Sequence, residues 1–349
     1  MSCPEKVGIA LINTGSPDAP GVSETRRYLR QFLSDPRVID IAPIKRWLLL
    51  NLVILPFRPK VSAHAYRQIW TDQGSPLIVN SLAFRDRLRE TLPYACIEIG
   101  MAYGSPSISD AMDRLSNQGV DRIVIVPMFP QYASATTGSV LEGAYTVASR
   151  KLNVPMLSAV PPYYADAGYL DAWAEVARPE LDVFAPDHVL LSFHGLPERQ
   201  IRNCDPTGNH CLSKPDCCDR YLDANPNCYR AHCFATSRGI AERLALQENA
   251  YTIAFQSKLG RDPWLSPAAD ERVRELARSG VKRLAILSPA FVTDCLETLE
   301  EIGLRARDDF LKYGGEDFLL VPSLNIHPAW VDAMTRILER HLGKVASPD

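Results

Sequence analysis

Six of the nine cysteines in this 349-residue chain fall in one short window: Cys204, Cys211, Cys217, Cys218, Cys228 and Cys233. Thiols at that density hold a metal ion or an iron–sulfur cluster, or pair as disulfides. Structural zinc sites are usually built on a Cys-x2–4-Cys knuckle, and only Cys228-x4-Cys233 comes near one. The irregular spacing of the others suits a [2Fe–2S] cluster, whose four thiolates follow no single motif. The opening residues, Met-Ser-Cys-Pro-Glu-Lys, do not read as a secretory signal. A cytoplasmic location is therefore expected, and a disulfide framework is the weaker reading.

A second set of residues suits proton and metal chemistry. His194 follows the apolar run 189–193 and precedes Gly195-Leu196-Pro197. An imidazole at a strand end can serve as a base or a ligand near neutral pH, or simply bond a backbone carbonyl. Glu297 and Glu301 lie one helical turn apart in Asp294-Cys295-Leu296-Glu297-Thr298-Leu299-Glu300-Glu301. On an α-helix they would share a face, and carboxylates with an imidazole suit a hard or borderline divalent ion. The competing explanation is local, a capping box with Asp294 at the N-cap and Glu297 at N3. The stretch from Pro130 to Gly138 brings Tyr132, Ser134, Thr136 and Thr137 before a helix expected near Ser139. Hydroxyls and free N–H groups there can hold an anion or cap the helix. Neither a Gly-x-x-x-x-Gly-Lys-Ser/Thr nor a Gly-x-Gly-x-x-Gly loop occurs, which counts against kinases and dehydrogenases.

The elements that must position these groups repeat along the chain. Apolar runs at 7–13, 97–102, 123–126, 189–193, 252–255 and 284–287 alternate with amphipathic segments such as 107–117 and 267–278. That alternation predicts α/β architecture, with parallel sheets covered on both faces. Leu11-Ile12-Asn13-Thr14-Gly15-Ser16-Pro17 matches Leu191-Ser192-Phe193-His194-Gly195-Leu196-Pro197, and Gly119-Val120-Asp121-Arg122-Ile123 matches Gly280-Val281-Lys282-Arg283-Leu284. Two matches in the same order predict a duplicated α/β domain, divided near Pro161-Pro162: residues 1–160 and 161–349, with a cysteine-rich insert at about 203–233. Ligands of such sheets bind outside the carboxyl ends of the strands, which nominates the loops carrying Thr14, Tyr132, His194 and Glu297.

The rest of the composition narrows the partners. Lys plus Arg is 38 against 41 Asp plus Glu, a net charge of −3, so no nucleic-acid partner is expected. The apolar run 47–57, inside 45–58 with Lys45, Arg46 and Arg58 at its ends, is about half a membrane span. It reads as an exposed lip that touches a membrane surface or covers a flat apolar ligand, rather than as a core helix.

Four ordered motifs then carry a resemblance. They are Ser192-Phe193-His194-Gly195-Leu196-Pro197, Phe129-Pro130-Gln131-Tyr132 through Thr136-Thr137-Gly138-Ser139, Gln256-Ser257-Lys258-Leu259-Gly260 with Pro263-Trp264, and Asp294 through Glu301. With the opening Leu11 to Pro20, they make the chain resemble a ferrochelatase over nearly its whole length outside the insert. The resemblance implies two similar Rossmann-like domains with the active-site cleft between them. It also implies insertion of ferrous iron, as substrate, into protoporphyrin IX, the terminal step of haem biosynthesis. By position it makes His194 and Glu297 the catalytic and metal-binding pair, with Glu301 as an accessory acid. It makes Thr14, Tyr132, Ser134 and Thr137 porphyrin contacts, and the lip a possible peripheral membrane contact. Cys295 stands where some relatives have histidine, and Thr14 where larger residues are common.

Some ferrochelatases carry a [2Fe–2S] cluster, certain bacterial ones through an internal segment. The resemblance therefore points to four of Cys204, Cys211, Cys217, Cys218 and Cys228, with adjacent Cys217 and Cys218 supplying one ligand between them and Cys233 set aside. The alternatives are a chelatase for another tetrapyrrole such as coproporphyrin, and a non-catalytic haem- or metal-binding chaperone or sensor.

Overall fold

Val7–Asn13 is buried along its whole length, as a strand covered on both faces must be. It is the first of eight strands in a computed structural model that describes residues 6–344, apart from 221, 259 and 261. The chain forms two units. The first takes the described residues up to Phe129, Ser134–Pro161, and those from Met334 onward; the second takes Pro130–Ala133 and Pro162–Ala333.

In the first unit, β1 (Val7–Asn13), β2 (Ala95–Met101), β3 (Arg122–Pro127) and β4 (Met156–Ala159) form a parallel sheet of order β2-β1-β3-β4. In the second, β5 (His188–His194), β6 (Tyr251–Gln256), β7 (Arg283–Leu287) and β8 (Asp317–Leu320) repeat that order as β6-β5-β7-β8, again all parallel. The duplication read from the two motif pairs is thus a duplication of topology. In each sheet the chain reverses its direction of winding between the first and third strands, the switch point outside whose carboxyl ends ligands bind. Thr14 follows β1 and His194 closes β5, so both lie at this position in their own sheets.

The second motif pair marks where a helix hands over to a strand. The helices Ile108–Asn117 and Ala269–Arg278 precede Gly119 and Gly280, whose φ values are +75° and +101°. Val120 N–H reaches Leu115 O and Val281 N–H reaches Leu276 O, the wrapped bonds of a glycine-terminated helix. At its other end the first helix has a capping box between Ser107 and Asp110.

The edge strands β4 and β8 are only four residues long and mostly half-buried, which is why no continuous apolar run announces them. Each sheet packs its apolar face on helices. Leu190, Ala254, Leu284 and Ile286 meet Val273, Ile302 and Phe310 in the second unit. Phe310 is fully buried, 6.0 Å from the Phe318 ring on β8. Phe310→Ala is expected to cost about 3–5 kcal/mol of stability, read as a lowered urea midpoint. A loss below about 1 kcal/mol would show that this contact does not hold the helix layer to the sheet.

Candidate active site

Strand β5 ends on His194, whose register partner is Gln256 at the end of β6. The chain then turns so closely that Gly195 N–H donates to Gln256 O at 2.7 Å, and a Cβ on residue 195 would stand 2.8 Å from that oxygen. Only glycine permits this approach. His194 Nδ1 lies 2.6 Å from Gly195 O. A carbonyl only accepts, so Nδ1 carries the hydrogen, and in the neutral ring Nε2 then holds the lone pair. The backbone-carbonyl contact and the chemical role are therefore compatible: one nitrogen fixes the ring and the other is set up to accept. The ring is half-buried, 6.3 Å from Phe291.

Gln256 heads one of the four motifs quoted from the sequence but was given no role there, yet it organises the site. Its side chain is buried; Ser192 Oγ donates to its Oε1 at 2.8 Å, and its Nε2 donates to Glu297 O at 2.8 Å. One amide therefore joins β5, β6 and the helix that carries Glu297. The signal available in the sequence is a polar residue closing an apolar strand just before Ser257-Lys258.

The segment Glu297–Ala306 is a π-helix, with hydrogen bonds five residues apart, and no side chain caps its start. The expected capping box is absent. Asp294 instead accepts from Thr298 Oγ1 (3.1 Å), Asn325 Nδ2 (2.7 Å) and Ser323 N–H (3.3 Å). Glu297 is thus released from capping, and its carboxylate lies near the Cys295 thiol. Burial first, and that carboxylate next, push the Cys295 thiol well above its usual range, so it remains a protonated donor. Glu301 has other partners, accepting from Ser257 N–H at 2.8 Å and Ser257 Oγ at 2.5 Å. Ser257 has φ +67°, a left-handed conformation that these two bonds help to hold. The two carboxylates expected to share one α-helical face have separate tasks.

Tyr132 lies in the same unit as His194 and Glu297, and its N–H donates to His232 Nδ1 at 3.1 Å. Thr14, Ser134 and Thr137 lie in the first unit. Thr14 N–H is held by Asn13 Oδ1 (2.8 Å), Ser134 Oγ accepts from Arg37 (3.1 Å), and the buried Thr137 hydroxyl has no hydrogen-bond partner among the described residues. A π-helical turn, Ser134–Gly138, precedes the helix Ser139–Ser149, and no side chain caps that helix.

The described cysteines are all unpaired by disulfides. Cys217 Sγ is 3.7 Å from Cys218 Sγ, and Cys228 is near enough to shift the thiols of Cys211 and Cys218. Arg230 donates to Cys218 Sγ at 3.1 Å and to Cys217 Sγ at 3.7 Å, and Leu212 N–H donates to Cys217 Sγ at 3.3 Å. Burial pushes the Cys211 thiol up to about 11 and raises Cys217; Cys218 is raised first by its Cys228 neighbour and then by burial. Cys204 is half-buried, and burial raises its thiol. Among the described residues no three His, Cys, Asp or Glu side chains are grouped to hold a single metal ion.

The apolar run 47–57 is helical and exposed along one face. Trp47 is 60% exposed and Phe57 71%, whereas Leu50 and Leu55 are buried. Among the described residues no helix is long and apolar enough to cross a membrane.

Comparison with known proteins bears on the whole chain. The ferrochelatase family model matches residues 6–342. A ferrochelatase of Coxiella burnetii is 44% identical over 338 residues, covering 97% of this chain and 94% of its own. One of Azotobacter vinelandii is 46% identical over 330 residues, covering 94% and 97%. Among solved structures, SirB from Bacillus subtilis with Fe3+ aligns at TM-score 0.52 and 16% identity, covering 96% of this chain and 95% of that one. The sirohydrochlorin chelatase SirB from Bacillus subtilis subspecies spizizenii, in complex with cobalt, aligns at 0.51 and 14%, covering 96% and 94%. These two share the fold. With a family model spanning nearly every residue and relatives above 40% identity along the full length, the chain belongs to the ferrochelatase family.

Proposed function

We propose that this chain is a metal chelatase that inserts ferrous iron into protoporphyrin IX, forming protohaem at the terminal step of haem synthesis. Family membership supports metal insertion into a porphyrin. The observation that carries the assignment of roles is the His194 ring, whose Nδ1 is committed to Gly195 O while Nε2 keeps its lone pair. Insertion releases two pyrrole protons as Fe2+ enters, with no change of oxidation state. His194 Nε2 accepts a pyrrole proton. Glu297 receives the metal or passes protons outward, its backbone anchored to Gln256. Glu301 acts at one remove, by holding Ser257. Tyr132, Thr14, Ser134 and Thr137 are the proposed porphyrin contacts. Protoporphyrin has only two carboxylates, and the exposed apolar face around Trp47 and Phe57 suits it better than a tetra-acid such as coproporphyrin. The same face is the proposed contact with a membrane surface.

The insert is proposed to hold a [2Fe–2S] cluster through Cys211, Cys217, Cys218 and Cys228, using both adjacent cysteines rather than one. In such a cluster each iron takes two protein thiolates, so the demand is for two pairs and not for three ligands around one ion. Two thiolates on a tetrahedral metal at about 2.3 Å stand about 3.8 Å apart. The Cys217–Cys218 separation is close to that, and the Arg230 guanidinium and Leu212 N–H already point at sulfur. A bound cluster would supply a covalent tie across the insert.

Three outcomes are expected. His194→Ala should fold normally and lose about 10²–10⁴-fold in turnover with Fe2+ or Zn2+ and protoporphyrin; near-native turnover would remove His194 from the chemistry. Glu297→Gln should lower turnover while changing stability by no more than about 0.5 kcal/mol, because the carboxylate caps nothing. A drop in melting temperature with intact turnover of the folded fraction would instead make Glu297 structural. The protein purified without oxygen should absorb visible light and contain iron and sulfide in equal amounts, whereas colourless, zinc-loaded protein would contradict the cluster.

A further inference from the structure

Near the end of the cysteine-rich insert, against the Tyr132 segment, stands a buried imidazole bonded at both nitrogens. His232 Nδ1 accepts from Tyr132 N–H at 3.1 Å, and its Nε2 donates to Pro226 O at 3.0 Å. Tyr164 stacks on the ring at 3.7 Å between centroids and 10° between planes. One nitrogen must accept while the other donates, so the ring has to be neutral, and burial pushes its protonation down to about 4.

The insert side of this bridge is tied to the thiols. Asn225, fully buried, donates from Nδ2 to Cys217 O (3.2 Å) and Arg220 O (2.9 Å), and accepts Leu222 N–H at 2.8 Å. The next residue is Pro226, whose carbonyl His232 holds. On the other side, Gln131 Nε2 donates to Thr236 Oγ1 at 3.0 Å, one turn beyond His232, so the Gln131-Tyr132 backbone rests on the same helix face. A displacement of the Cys217 loop therefore has a continuous polar route, through Asn225, Pro226 O and the imidazole, to the Tyr132 backbone.

We propose that His232 is a positioning residue that couples the arrangement of the cysteine-rich insert to the Tyr132 segment and thereby sets the affinity for porphyrin. This rests on the reading of Tyr132 as a porphyrin contact. His232 touches neither metal nor macrocycle in this scheme; it carries a constraint from one segment to the other, and by linkage the coupling runs both ways.

The test is a double-mutant cycle on the full chain, with His232→Asn, Asn225→Ala and the pair, reading protoporphyrin affinity by fluorescence quenching. Each single variant should weaken binding about fivefold, and the double variant should be no weaker than either single. Turnover at saturating porphyrin and the KM for Fe2+ should not change, a split that a merely loosened fold would not produce. Should His232→Asn not fold, His232→Gln, whose longer carboxamide reaches toward Pro226 O, takes its place in the cycle. Independent, multiplying effects, or a fall in kcat with porphyrin affinity intact, would overturn the coupling while leaving the chelatase reading in place. A wild-type chain that binds no porphyrin would overturn that reading, and this inference with it.

Discussion

A single buried amide sets the geometry on which the proposed chemistry depends. Gln256 sits inside the protein with a donor and an acceptor that must both be satisfied, since an unmade hydrogen bond there costs about 1–3 kcal/mol. It meets that demand with Ser192 on β5 and the carbonyl of Glu297 at the head of the π-helix, while its own carbonyl takes Gly195 N–H. The tail of β5, the tail of β6 and the helix start are thus fastened at one point. His194 lies two residues from one end of this fastening, and Glu297 is the other end. Their side chains do not have to hold the fold together, and this leaves them available to a substrate.

The surrounding architecture explains why that point is where it is. Both sheets are parallel with the same strand order, so in each unit the first and third strands send their carboxyl ends to the same edge. Two copies of one topology have diverged in their loops. In the first, the position after β1 is Thr14; in the second, the corresponding position is His194, and the chain beyond Pro197 runs into the cysteine-rich insert. Within the insert, Asn225 ties to the Cys217 carbonyl and His232 to that of Pro226, and His232 in turn takes the Tyr132 N–H by a polar contact. Such attachments are directional, which suits a segment whose arrangement matters to its neighbours.

Much of this could be read from the residues. The fully buried strands announce themselves as apolar runs, and the paired Gly-Val and Gly-x-Pro motifs reveal the repeat because glycine is required at those turns. The edge strands β4 and β8 escaped because half-buried four-residue strands have no distinctive pattern. The place of His194 at the end of a strand was legible. Glu297 was visible but its surroundings were not: Asp294 turns to Thr298, Ser323 and Asn325, the last two about thirty residues on, and no local pattern encodes those partners. The π-helix was equally hidden, since its sequence reads as an ordinary amphipathic helix. The role of Gln256, named only within a motif, and His232 altogether were missed for the same reason, as their roles exist only through partners far away in the chain.

The central claim is that His194 and Glu297 act on one macrocycle as a unit. A kinetic cycle of His194→Ala, Glu297→Gln and the double variant, measured for anaerobic Fe2+ insertion into protoporphyrin, tests it most directly. Residues that act together are strongly non-additive, so the double variant should be no slower than the worse single. Losses that multiply across the cycle would mean that the two groups contribute independently, and the account of a shared site would fail.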